Sequence, residues 1–497
     1  MNFLKFWPRR KSRSSFKETS LSFDLLYQLS YMSAISAAGL PRSQIFELGS
    51  QLPCSSAQYI AEIHNLSKRW RYDYAVACRM VGESSKKEAV KSLLLRLASS
   101  LNSGEPEWAF LDQEARIQAE AYNSDYERRV ESLRKWTEAY AALVVSAALI
   151  VMVAAVSMLI YPVATGFTIA LSCVTILTGV VGAYFVYSAS PKEVRVHMPA
   201  QYCLAYVRAN RWERMMVPIA AVTLVGTLAA GMEMGFAILA GSILLIPIGI
   251  FGVILERRVS NKDRDISTFL RSLGNVSSAI GITTSQAVSR LDLRSTAALA
   301  EDVKSLRARL ASRLKPDLCW QRFSLETGSE LIYRSVKTFH DATRLGGEAD
   351  VVGERSSVLA MSLDSLRAKR GQVSSSFTWL AIGVHAAIVA LLVFVSQVVS
   401  VFSQVVEGVY EEALAEAPVR TVEIFAFGFQ NVPLLKNLTV PCLLVLAATT
   451  AFAANAADGG SRYKLYLYLG LTFGLSGAAM LLVPAITDMI FASVSSF

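Results

Sequence analysis

The sequence predicts an all-α integral membrane protein, with about seven transmembrane helices and two duplicated cytoplasmic helical-bundle domains. Three observations lead there. Hydrophobic residues make up 53% of the 497 residues against 18% charged, and the apolar excess falls in blocks. One helical pattern occurs twice, each time running into an apolar block. Basic residues avoid the segments that would face outward.

Residues 1–20 form a basic tail with Arg9, Arg10, Lys11, Arg13 and Lys17. It is too polar for a cleavable signal peptide, so the first span is expected to act as a signal-anchor. The tail reads first as a topology determinant on anionic headgroups and second as a docking arm for an acidic partner.

Residues 21–136 are the first helical domain. Leu25, Leu29 and Met32 mark the buried face of its opening helix. Its last segment, Trp108–Trp136, is charged and reads as a stalk entering the bilayer. Residues 258–376 are the second domain. Ile266, Phe269, Leu270, Leu273, Val276 and Ile280 form one apolar helical face, which Gly281 ends. Leu25–Glu47 matches Phe269–Ser289 after a short gap, with Gly39 opposite Gly281. Further on, Gly104 meets Gly347 and Trp136 meets Trp379. The shared order and spacing indicate an internal repeat of about 243 residues. Trp136 and Trp379 are expected at the membrane interface, where indole is favoured.

Residues 137–257 hold four spans, about 139–160, 167–187, 215–230 and 236–255, with a cytoplasmic linker at 188–214. Residues 377–497 hold three more, about 377–406, 440–456 and 465–486, with an outer acidic loop at 403–437. The apolar but interrupted stretch 421–435 reads as an interfacial helix. Gly470 and Gly474 have the spacing of close helix packing. With the N-terminus in the cytoplasm and the C-terminus outside, Arg420 and Lys436 are the only two of the 49 basic residues placed outside.

Catalytic signatures are missing. The chain has no GxxxxGK[ST], HExxH or GxSxG pattern, and His64, His197, His340 and His385 lack ligand spacing. No cofactor or metal is expected, and no catalytic residue is assigned. The net charge of +9 suggests a basic cytoplasmic face before it suggests nucleic acid. The six cysteines are expected as free thiols. Lys304, Arg307 and Arg309, with Arg257 and Arg258 at the exit of the fourth span, form a candidate electrostatic docking surface. Leu306, Leu310 and Leu314 mark the apolar face of that helix, so its charges are expected to be exposed.

The duplicated unit resembles the type II secretion system F-domain family. The second copy carries the likeness, through FLRSLG, the run LCWQRFSLETGSELIYRSVKTFHDATRLGGEADVVGERSS, and LDSLRAKRG. The arrangement is similar to the platform proteins of archaella, archaeal type IV pili and Tad-type systems, and the number of spans looks archaeal. That resemblance implies a non-enzymatic platform in the cell membrane, meeting a hexameric secretion ATPase, pilin-like filament subunits and membrane lipids. A homo-oligomer is a further option. The competing reading is a polytopic transporter with regulatory cytoplasmic domains, and the scarcity of intramembrane charge counts against it.

Overall fold

A computed structural model describes residues 21–157, 165–193, 204–416 and 432–495. Arg9, Arg10, Lys11, His197 and most of the expected interfacial segment 421–435 lie outside them. Among the described residues the regular elements are α-helices and one 3-10 turn, Arg294–Leu299. In order they are α1 (Leu21–Ser36), α2 (Arg42–Ser50), α3 (Ala57–Trp70), α4 (Tyr74–Ser84), α5 (Glu88–Ser103), α6 (Glu107–Ser157), α7 (Thr165–Ala189) and α8 (Leu204–Ala229). Then follow α9 (Met234–Ile280), α10 (Thr284–Arg290), α11 (Ala300–Ala311), α12 (Pro316–Thr327), α13 (Glu330–Arg344), α14 (Ala349–Glu416), α15 (Val432–Asp458) and α16 (Arg462–Ser495). Seven of these, α6, α7, α8, α9, α14, α15 and α16, are long and apolar enough to cross a membrane.

The described residues divide into two compact units. The first holds 21–128, 191–193, 204–207 and 257–368. Two bundles were expected, at 21–136 and 258–376; their parts 21–128 and 258–368 pack as this one unit, while 129–136 and 369–376 fall in the second. The reason lies in α1. It is buried on nearly every side, including Asp24, Gln28 and Ser33, not on one face alone. A helix enclosed all round needs cover from elsewhere, and α13 supplies it.

Helix boundaries recur within this unit. The same interval separates Gly39 from Gly281, the first residues of α2 and α10 (Arg42, Thr284), those of α4 and α12 (Tyr74, Pro316), those of α5 and α13 (Glu88, Glu330), and those of α6 and α14 (Glu107, Ala349). Gly39 and Gly281 both end helices in the left-handed region, at φ 68° and 69°. Arg71 and Arg313 stand at this interval too, with φ 60° and 56°. They are the two non-glycine residues at positive φ among those described. One marker differs from expectation. Gly104 (φ 76°) finds its counterpart in Gly346 (φ 100°), not in Gly347. Gly347 is needed for space, because a Cβ there would meet Val352 Cγ2 at 2.9 Å and the Ala342 carbonyl oxygen at 3.0 Å.

The second unit holds 129–190, 208–256 and 369–495. Its core joins Tyr140, Val144, Val186, Phe377, Val389 and Leu443 from α6, α7, α14 and α15. Glycines let α9 and α16 approach closely. A Cβ on Gly477 would meet the Leu239 backbone nitrogen at 2.8 Å, and one on Gly470 would meet Ile246 Cγ1 at the same distance. A Cβ on Gly249 would run into the Leu467 backbone. Gly470 and Gly474 therefore mark a helix contact, as their spacing predicts. Arg370 caps α15: its guanidinium donates to the carbonyls of Ala456 and Ala457, each at 3.0 Å, and to Ser190 Oγ at 2.5 Å. It lies against Gly459 (φ 66°), where a side chain would displace it.

Candidate functional site

The polar centre of the first unit is built around Arg334 on α13. Its Nη1 lies 3.1 Å from Asp24 Oδ1 on α1, and its Nε lies 2.9 Å from Glu330 Oε1 one helical turn back. The guanidinium also sits over the rings of Phe23 and Tyr27, at 4.8 and 4.7 Å from their centroids. Arg334 and Asp24 are only 2% and 0% exposed. Burial alone would pull the Arg334 pKa down, but the carboxylates of Glu330 and Asp24 outweigh it and hold the group firmly charged. Asp24 is saturated further by Ser55, whose backbone N–H donates to Oδ2 at 2.8 Å and whose hydroxyl donates at 2.5 Å. Nearby, the Tyr31 hydroxyl donates to Asp341 Oδ2 at 2.9 Å, and Arg355 Nη1 donates to the Ser33 carbonyl at 2.7 Å. Burial raises the Tyr27 and Tyr31 pKa values and pushes the Cys54 thiol up to about 11, so these groups stay neutral.

A second buried centre in the same unit gathers Arg367, which lies 2.6 Å from Glu193 Oε1 and 2.5 Å from Asp263 Oδ2. Ser329, the N-cap of α13, donates its hydroxyl to Asp263. Each centre ties together segments distant in sequence. Neither was singled out from sequence. The one available signal was a single acid, Asp24, inside the apolar run LSFDLLYQLS.

The docking candidates separate on inspection. Arg257, Arg258 and Lys304 are exposed. Arg307 is half-buried, and its Nη2 donates to the Val288 carbonyl at 2.9 Å and the Leu291 carbonyl at 3.3 Å, closing the end of α10. Arg309 pairs with Glu326 at 2.6 Å. The expectation that all three charges of α11 are exposed therefore holds for Lys304 alone. The charge run is also not one helix. α11 stops at Ala311 and Arg313 turns the chain, which leaves Leu314 exposed while Leu306 is fully buried. Trp136 stacks on Phe185, with centroids 4.4 Å apart, whereas Trp379 is 76% exposed. In the register set by Gly346, Trp136 corresponds to Thr378, and a one-residue offset turns a helical side chain by about 100°.

Among the described residues no group of three or more His, Cys, Asp or Glu could hold a metal. His385 is fully buried in the second unit, with Nε2 at 3.1 Å from the Thr472 carbonyl oxygen and from Ser476 Oγ. That carbonyl only accepts, so Nε2 carries a proton.

Fold and polar centres define a polytopic helical membrane protein whose first unit is knit together by buried arginines. Over 458 residues the chain is 24% identical to Flagella accessory protein J of Methanococcus voltae, covering 87% of this chain and 78% of that protein. It is also 24% identical over 438 residues to Flagella accessory protein J of Methanocaldococcus jannaschii, covering 85% and 75%. No family model matches, and no solved structure does.

Proposed function

We propose that this chain is a membrane platform on which an archaellum-type filament is assembled. The observation that carries this reading is similarity, through more than four fifths of the chain, to two proteins named Flagella accessory protein J. In this reading the N-terminus and the whole first unit face the cytoplasm and the C-terminus faces out, because the reverse would export almost every basic residue. The platform does no chemistry of its own. A cytoplasmic secretion ATPase engages the first unit, and pilin-like subunits are taken up beside the spans of the second. The buried ion pair of Arg334 with Asp24 suits this role, since it joins the two repeated halves. The test is purification of the detergent-solubilised protein from its own membranes. The secretion ATPase and pilin-like subunits should co-purify. A preparation that repeatedly holds neither, yet supports substrate flux in proteoliposomes, would replace this reading with the transporter.

A further inference from the structure

The two arginines at positive φ mark matching surface features. In the first half, the turn between α3 and α4 exposes every residue from Lys68 to Asp73. Trp70 is 71% exposed, and Tyr72, Val76 and Met80 lie exposed beside Lys68, Arg69, Arg71 and Arg79. In the second half, the turn between α11 and α12 exposes every residue from Ala311 to Leu318. Leu314 and Leu318 are 53% and 49% exposed, beside Arg313 and Lys315. By the interval that relates the halves, Tyr72 corresponds to Leu314 and Val76 to Leu318. Each turn is thus a left-handed arginine flanked by exposed apolar side chains. Glycine would make the same turn without strain, so folding alone does not call for arginine there.

We infer that the turns at Arg71 and Arg313 are paired docking points for an oligomeric protein that presents the same acidic-rimmed apolar surface more than once. Charge complementarity sets the acidic rim. Exposed Trp, Tyr, Leu and Met beside arginine are the side chains that anchor protein interfaces. Repetition of the feature within one chain matches repetition within the partner. Among the described residues, no acid beside the turns pairs with Arg71 or Arg313. Asp73 caps α4 through the Ala75 N–H, Glu47 meets Lys68 at 3.8 Å, and Asp317 is held by His340 and Arg344. A lipid surface has similar chemistry, and quenching by brominated lipid would report it.

The inference rests on the platform reading, which supplies the probe: the purified secretion ATPase of the same filament system. The full-length protein is placed in nanodiscs and ATPase binding is measured at two salt concentrations. Wild type should bind. Failure to bind would sink the platform reading itself and this inference with it. Trp70→Ala with Tyr72→Ala, or Leu314→Ala with Leu318→Ala, should each weaken binding at least about tenfold, and all four together should abolish it. Arg71→Gly with Arg313→Gly keeps both turns unstrained and should remove most of the salt dependence. Wild-type affinity in the fourfold variant would overturn the inference while leaving the platform reading intact. So would quenching by brominated lipid that disappears in Trp70→Phe, which would assign the turn to the bilayer.

Discussion

Arg334 Nη1 and Asp24 Oδ1 lie 3.1 Å apart, fully buried, although 310 residues separate them in the chain. The pair joins α13 to α1, and so the second repeated half to the first.

Breaking one partner strands a buried charge. Arg334→Met or Asp24→Leu alone should cost about 3–5 kcal/mol. With Glu330→Gln added, the double variant should recover much of that loss, because no uncompensated charge then remains in the cluster. Chemical unfolding in detergent, followed by tryptophan fluorescence, reads both. Equal losses in single and double variants would mean the pair contributes only packing.

Helix-ending glycines should respond to substitution according to their backbone. At Gly39, Gly104, Gly281 and Gly346 a Cβ meets nothing within 4 Å, so the cost is conformational. Alanine there should cost about 1–2 kcal/mol and asparagine less. At Gly347, which is crowded by Val352 and Ala342, asparagine should be no better than alanine. The contrast between Gly346→Asn and Gly347→Asn in thermal unfolding checks the assignment.

Close helix approach makes the opposite demand in the second unit. Gly249→Leu or Gly477→Leu should force α9 and α16 apart, since each glycine faces backbone of the other helix. The expected outcome is loss of folded, monodisperse protein in detergent. Gly226→Leu, where a Cβ meets nothing within 4 Å, should have little effect.

Acidification should weaken the first unit through His340. Burial lowers its pKa below the ordinary 6.5, though the hydrogen bond to Asp317 at 2.8 Å opposes this. The unfolded chain then binds the proton more readily than the folded one. His340's contribution is complete above pH 6.5 and falls as pH drops through that value. Unfolding midpoints between pH 7.5 and about 5 should decline, and His340→Gln should flatten the decline. The neighbouring Asp341 and Arg344 are left in place in that variant.

The membrane helices were legible because apolar blocks longer than about 18 residues have few other uses. The repeat was legible through Gly39 and Gly281, since left-handed helix ends select glycine. Its Gly104 partner was misplaced by one because GG offers two candidates, and only φ distinguishes Gly346 from Gly347. The enclosure of α1 was not legible. Leu25, Leu29 and Met32 declare one face, but the cover on the other sides comes from α13, far along the chain. The same applies to Arg307 and Arg309. A basic residue that satisfies a carbonyl or pairs with Glu326 looks, in sequence, like one that faces water.

Orientation can be read with thiol reagents, though not from the native cysteines. Cys54 and Cys319 are buried and would resist labelling from either side. Lys304→Cys and Glu233→Cys occupy exposed positions. In intact cells Glu233→Cys should react with an impermeant reagent and Lys304→Cys should not. The reverse pattern would invert the topology.

Deleting the gene in its own host and imaging the cell surface by electron microscopy tests the central claim most directly. Filaments of one type should vanish while their subunits persist in the membrane, and the wild-type gene should restore them. Unchanged filaments in the deletion strain would contradict the platform assignment.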